Sequence, residues 1–84
     1  MMVKRVSVIM TSLQYDKQVG QKIRELRHKH GLSGEQLAAR LQLNGCNISQ
    51  TTISKIELGN RHIYPAEIKA LCSVFGITCD ELLV

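Results

Sequence analysis

The chain has no tryptophan, one phenylalanine, two tyrosines and one proline in 84 residues. Tyr15, Tyr64 and Phe75 lie far apart and form no stacking platform in sequence, which argues against single-stranded RNA recognition. No apolar run approaches the roughly 20 residues that a membrane span needs. The opening ten residues, Met1 to Met10, are too short and too interrupted for a signal peptide, so the expected compartment is the cytoplasm. Cysteine is scarce too: Cys46, Cys72 and Cys79 are an odd number without a Cys-x-x-Cys pair, which excludes a disulfide framework. His28 and His30 are two residues apart and point to different sides of a helix. With no third ligand at a suitable spacing, no metal site is expected. Seven carboxylates are scattered, and neither a nucleophile–base set nor a phosphate-cradling glycine loop accompanies them. The chain therefore reads as a non-enzyme without a cofactor.

What is present is a single domain's worth of chain with ordinary apolar content and an uneven charge. Residues 1–61 carry ten Lys and Arg against four Asp and Glu; residues 62–84 carry one against three. A basic body with an acidic tail suits a polyanion on one side, although a solvated surface gives the same imbalance.

Residues 1–14 alternate weakly through Val6, Val8 and Met10, which fits a short strand or a disordered arm. From Asp16 the pattern turns helical, with Val19, Ile23 and Leu26 on one stripe and Gly31 as the stop. Ser33 and Gln36 form a capping box that opens a second helix with Leu37, Ala38 and Leu41 inward. Asn44-Gly45 signals a turn. Ser49 caps a third helix, with Ile48 and Ile53 spaced as a hydrophobic staple and Gly59-Asn60 as its end. Pro65 starts a fourth, which buries Ile68, Leu71, Cys72 and Phe75 and stops at Gly76. Thr78 and Glu81 form another capping box before a last short helix from Asp80 to about Val84. Five helices with short joins predict an all-α fold.

The third helix has two unlike sides. Thr52, Ile53 and Ile56 cluster on one; Gln50, Thr51, Ser54, Lys55 and Leu58 project from the other. Glutamine matches adenine's major-groove edge, lysine donates to guanine's acceptors, and a threonine methyl suits thymine's. Such a face fits base reading, but on this helix alone a merely solvated face is the stronger reading.

The order of elements separates the two readings. Ile23-Arg24-Glu25-Leu26-Arg27, Gly31-Leu32-Ser33, Gln36 to Leu41, Thr52 to Glu57 with Gly59-Asn60-Arg61, and Phe75-Gly76-Ile77-Thr78 with Asp80 to Leu83 follow one another in a characteristic order and spacing. Together they resemble the lambda-repressor-like, XRE-family helix-turn-helix DNA-binding domain from Val19 to Leu83. The resemblance implies base-reading roles for Gln50, Thr51 and Lys55, with Ser54 beside them. It implies phosphate contacts near Ser33, Asn60 and Arg61, and a structural ion pair between Arg27 and Glu57. Three positions depart from the family pattern: Gly34 stands where glutamine is common, Tyr64 replaces a small polar cap, and about five extra residues lengthen the turn between helices two and three. Those residues fit a longer helix two, or a bulge toward DNA that would bring Asn44, Cys46 or Asn47 to it.

The expected domain plan is an arm over residues 1–14 and the helix-turn-helix domain over 15–84. The expected function is a sequence-specific double-stranded DNA-binding transcriptional regulator, a repressor, bound to a palindromic operator as a homodimer. Leu82, Leu83 and Val84 are the dimer candidates, with Val6, Val8 and Ile9 from the arm; packing on the chain's own core explains the terminal residues equally well. The alternative is an antitoxin-like protein-interaction module of the same fold, which meets a protein partner through residues 1–14.

Overall fold

The computed structural model describes residues 12–83, with backbone alone for Ser12, Leu13 and Leu83. Five helices follow in order: α1 (Ser12–Lys29), α2 (Gly34–Leu43), α3 (Gln50–Glu57), α4 (Pro65–Phe75) and α5 (Cys79–Leu83). The described residues contain no strand. None of these helices is long and apolar enough to cross a membrane.

α1 begins at Ser12, four residues ahead of the Asp16 start that periodicity gives. Leu13 and Gln14 favour helix and no glycine or proline intervenes, so the first turns extend backward. Residues 12–14 are thus helix, while the rest of the expected arm, with Val6, Val8 and Ile9, lies outside the described residues. The other end closes at Gly31, which takes φ +66. There the Leu32 N–H reaches back to the Arg27 carbonyl at 3.0 Å.

α2, α3 and α5 each open on a polar cap readable in the chain. Ser33 Oγ accepts from the Gln36 N–H at 3.1 Å, and the Ser33 N–H donates to Gln36 Oε1 at 2.8 Å. Ser49 Oγ accepts from the Thr52 N–H at 3.2 Å. At α5 the Thr78 N–H donates to Glu81 Oε1 at 2.9 Å and Thr78 Oγ1 accepts from the Glu81 N–H at 3.2 Å, which sets the helix start at Cys79. These bonds satisfy end groups that would otherwise face water or go unpaired.

The core gathers Ile23 from α1, Leu37 and Leu41 from α2, Ile53 and Ile56 from α3, and Leu71 and Phe75 from α4. Leu82 of α5 joins it at 1 % exposure. That corrects the expectation of Leu82 as a dimer contact, because its side chain is spent inside its own subunit. The short α5 has to bury Leu82 to stay attached to α1 and α4. The side chain of Leu83, and Val84 as a whole, lie outside the described residues.

The lengthened turn has a definite course. α2 runs through Leu43, and Gly45 then takes φ +80. The Cys46 N–H donates to the Leu41 carbonyl at 2.9 Å, and Asn44 Nδ2 to the Arg40 carbonyl at 3.0 Å. Asn44 Oδ1 accepts from the Ser73 hydroxyl of α4 at 3.1 Å. The added residues therefore fold onto α4, and Asn44 is held there. Ile48 re-enters the core just before Ser49.

α1 crosses the carboxyl end of α3 at Gly20. A Cβ there would lie 2.1 Å from the Ile56 carbonyl oxygen and 2.9 Å from that of Glu57. Neither is a movable side-chain tip. Gly20→Ala would gain about 1 kcal/mol of helix propensity. Forcing the two backbones apart should cost about 3 kcal/mol, for a net loss of about 2 kcal/mol. Urea unfolding of both proteins measures it; an unshifted midpoint would mean that the two helices separate freely.

Candidate nucleic-acid interface

α3 is fixed from below and free above. Ile53 and Ile56 lie in the core at 3 % exposure each, and Thr52 Oγ1 shares a 3.2 Å contact with Ser49 Oγ. On the opposite side Gln50, Thr51, Ser54 and Lys55 are all exposed. None of the four spends its side chain on a hydrogen bond or ion pair among the described residues. Leu58, just past the helix, adds an apolar side chain at 58 % exposure.

α2 meets this face at its amino end. A Cβ on Gly34 would lie 3.0 Å from Gln50 Cγ and 3.5 Å from its Nε2. Gly34 thus gives Gln50 room to lie against the start of α2. The side chain missing from position 34 is replaced in space by a neighbour's. Ser33 at the same place is exposed, with its hydroxyl engaged in the cap.

Behind α3 lies an ion pair between α1 and its last residue. Arg27 Nε donates to Glu57 Oε2 at 2.7 Å and Nη2 donates to Oε1 at 2.9 Å. Nη1 donates to the Leu32 carbonyl at 3.0 Å. The side chains are 15 % and 7 % exposed, so three directed bonds hold the pair away from water. This geometry ties the end of α3 to the end of α1.

Arg61 stands differently from a free phosphate ligand. Its Nη1 and Nη2 donate to the two carboxylate oxygens of Glu67 at 2.9 and 3.0 Å. The guanidinium carbon lies 5.3 Å from the centre of the Tyr64 ring. The same Glu67 accepts from the Tyr64 N–H at 3.0 Å, so it supplies the cap bond that the tyrosine side chain does not make. Nearby, His62 Nδ1 and Asp16 Oδ1 are 3.1 Å apart and join this loop to the start of α1. Asn60 is exposed beside Gly59. Gln50, Thr51, Ser54 and Lys55 thus form one surface, Ser33 lies at one end and Asn60 at the other, and Arg61 turns inward to Glu67. Sequence reasoning missed Gly20 and the Arg61–Glu67 pair. Glu67, third after the Tyr64 cap, was a readable capping signal; the arginine six residues before it had none.

The sequence matches the family described as a helix-turn-helix domain over residues 18–83. Two solved structures share the fold. The S. venezulae BldD DNA-binding domain has a TM-score of 0.70 and 25% identity, over 84% of this chain and 99% of that one. A crystal structure of the DNA-binding domain of BldD has a TM-score of 0.72 and 27% identity, over 89% of this chain and 100% of that one. No curated protein matches the sequence.

The two arginine–carboxylate pairs give separable outcomes. Arg27→Ala strands the Glu57 carboxylate and should cost about 3–5 kcal/mol in chemical denaturation; a loss under 1 kcal/mol would show that water reaches the pair. For Glu67, burial pushes the carboxyl up, but the Arg61 guanidinium and the Tyr64 N–H outweigh it and hold the group below its ordinary value. Its folded-state value is depressed. The stabilisation is therefore complete above the unfolded carboxylate range near pH 4.3 and is lost as pH falls through the lower folded value. Glu67→Gln should remove that part of the acid-side decline in melting temperature. An unchanged acid limb in the variant would refute the assignment.

Proposed function

The chain belongs to the helix-turn-helix domain family, and from that premise we propose that it regulates transcription by reading specific double-stranded DNA sequences through α3. The observation that carries this reading is the unspent face of α3. Four side chains with donors, acceptors and a methyl group stand free at one surface, on a helix whose other side is locked in the core. An α-helix presented this way fits the major groove, with its amino-terminal residues toward the base edges. Both solved relatives are described as DNA-binding domains, which supports the same use here.

Within the family, the motif order supports membership of the lambda-repressor-like, XRE branch. Gln50, Thr51, Ser54 and Lys55 read bases. Ser33 and Asn60 approach phosphates at the two ends of the face. The site of action is the cytoplasm, and the operator is palindromic, because one α3 spans too few base pairs for strong selection. A second copy would read a half-site about 34 Å away. The residues that join the copies are to be sought outside Leu82. The mode of control is repression, by occupation of a promoter.

Selection of bound duplexes from a random library tests the reading. An enriched motif with two related half-sites is expected. Thr51→Ala and Lys55→Ala should each relax preference at one position of the half-site, with about 1–3 kcal/mol of discrimination lost there. Equal weakening on every sequence would remove those residues from base reading. Absence of any enrichment would favour the protein-interaction module instead.

A further inference from the structure

The groove between α1 and the end of α3 adjoins the face described above. It is lined by Lys17, Gln21, Arg24 and His28 of α1 and by Leu58, and it encloses about 810 Å³. The four α1 residues recur at helical spacing, all are exposed, and they form one stripe. Neither Lys17 nor Arg24 has a partner among the described residues. Glu57, at the base of the groove, is already neutralised by Arg27. Glu25 is the remaining carboxylate. It also lines the neighbouring depression with Lys22 and Leu82.

Two close approaches set this stripe level with α3. Gly20 lets α1 sit against the Ile56 carbonyl. Gly59, at φ +78, would bring a Cβ within 2.9 Å of Lys17 Cα. Past Arg24 the groove opens into a second depression lined by Arg24, Ser54 and Leu58. Ser54 belongs to the exposed face of α3, so the basic stripe and that face are one continuous surface.

We propose that Lys17 and Arg24 bind the phosphodiester backbone of the duplex whose bases α3 reads. The proposal rests on the functional reading above and names a contact surface beyond it. A helix in the major groove has one strand's phosphates on each flank, about 12 Å apart across the groove. The start of α2 stands on one flank, beside Gln50. The α1 stripe stands on the other, beside Ser54 and Leu58. Two unpaired cations there meet phosphate oxygens, and Leu58 packs on the sugar between them. An acidic protein segment would find the same charges, but the continuity with Ser54 favours DNA.

The test measures affinity against salt for the full chain, on a random-sequence duplex and on any enriched one. Lys17→Ala and Arg24→Ala should each lower the slope of log affinity on log salt by about 0.9, and the double variant by about 1.8. Both duplexes should weaken by the same factor, melting temperature should hold, and Arg24→Lys should retain the slope. If the wild-type chain binds and the variants keep its slope and affinity, the α1 contact is wrong while base reading stands. An acidic segment would then be the occupant to seek. If the wild-type chain binds no duplex, the functional reading falls and takes this contact with it.

Discussion

The structure depends on how closely α1 approaches α3. Gly20 removes the side chain that would hold the two backbones apart, and Arg27 then reaches Glu57 with two hydrogen bonds. The two features fix different degrees of freedom. Close contact at Gly20 sets the distance between the helices, and the planar guanidinium–carboxylate fork sets the rotation of α3 about its axis. That rotation decides which residues face outward. A turn of one residue, about 100°, would carry Ile53 toward solvent and Lys55 toward the core. An eight-residue helix has little intrinsic stability in water, so its orientation has to come from such contacts.

This division of labour accounts for the fate of charge. Formal charge on the chain is +4, yet not every cation is available to a polyanion. Arg27 and Arg61 are both consumed by carboxylates, and each anchors an end of the α3 region: Arg27 its last turn, Arg61 the loop that follows. Both pairs use arginine, whose five donors in a fixed plane serve a bidentate partner better than a lysine's point charge. The exposed lysine of α3, by contrast, is left with its three rotatable donors unassigned. Arg27 and Arg61 hold the scaffold, while Lys55 remains at the surface.

Much of the architecture was legible because its signals are local. Ser33, Ser49, Gly31, Pro65, Gly76 and the Thr78–Glu81 pair each act within four residues, and each marks a helix boundary in the structure. The division of α3 into buried and exposed sides followed from its period alone. The long-range terms were less accessible. Gly20 reads in sequence as a weak spot in a helix, and only the crossing with α3 explains it. Glycine at position 34 stood only as a departure from the family's usual glutamine; in space it is the room that Gln50 occupies. Arg61 resembled a phosphate ligand from its place in the loop, and its pairing with Glu67 could not be told from the many surface charges nearby. The apolar end of the chain fitted two uses, and only packing showed that Leu82 belongs inside.

The extra turn residues show how far such a scaffold bends without losing its geometry. Loop length itself is inexpensive, since each doubling costs only about 0.6 kcal/mol in closure entropy. What the fold cannot absorb is a shift of Ser49, because the cap fixes the first turn of α3 and Ile48 fixes the entry of the chain. The added segment therefore departs and returns at constrained points. It is tied to Arg40 and Leu41 at one end and to Ser73 in the middle, and Ile48 is buried at the other. Its course lies over α4, so the surface made by α3, the start of α2 and the α1 stripe is left open. Any partner specific to this lengthened turn would meet the α2–α4 side of the molecule, independently of what occupies α3.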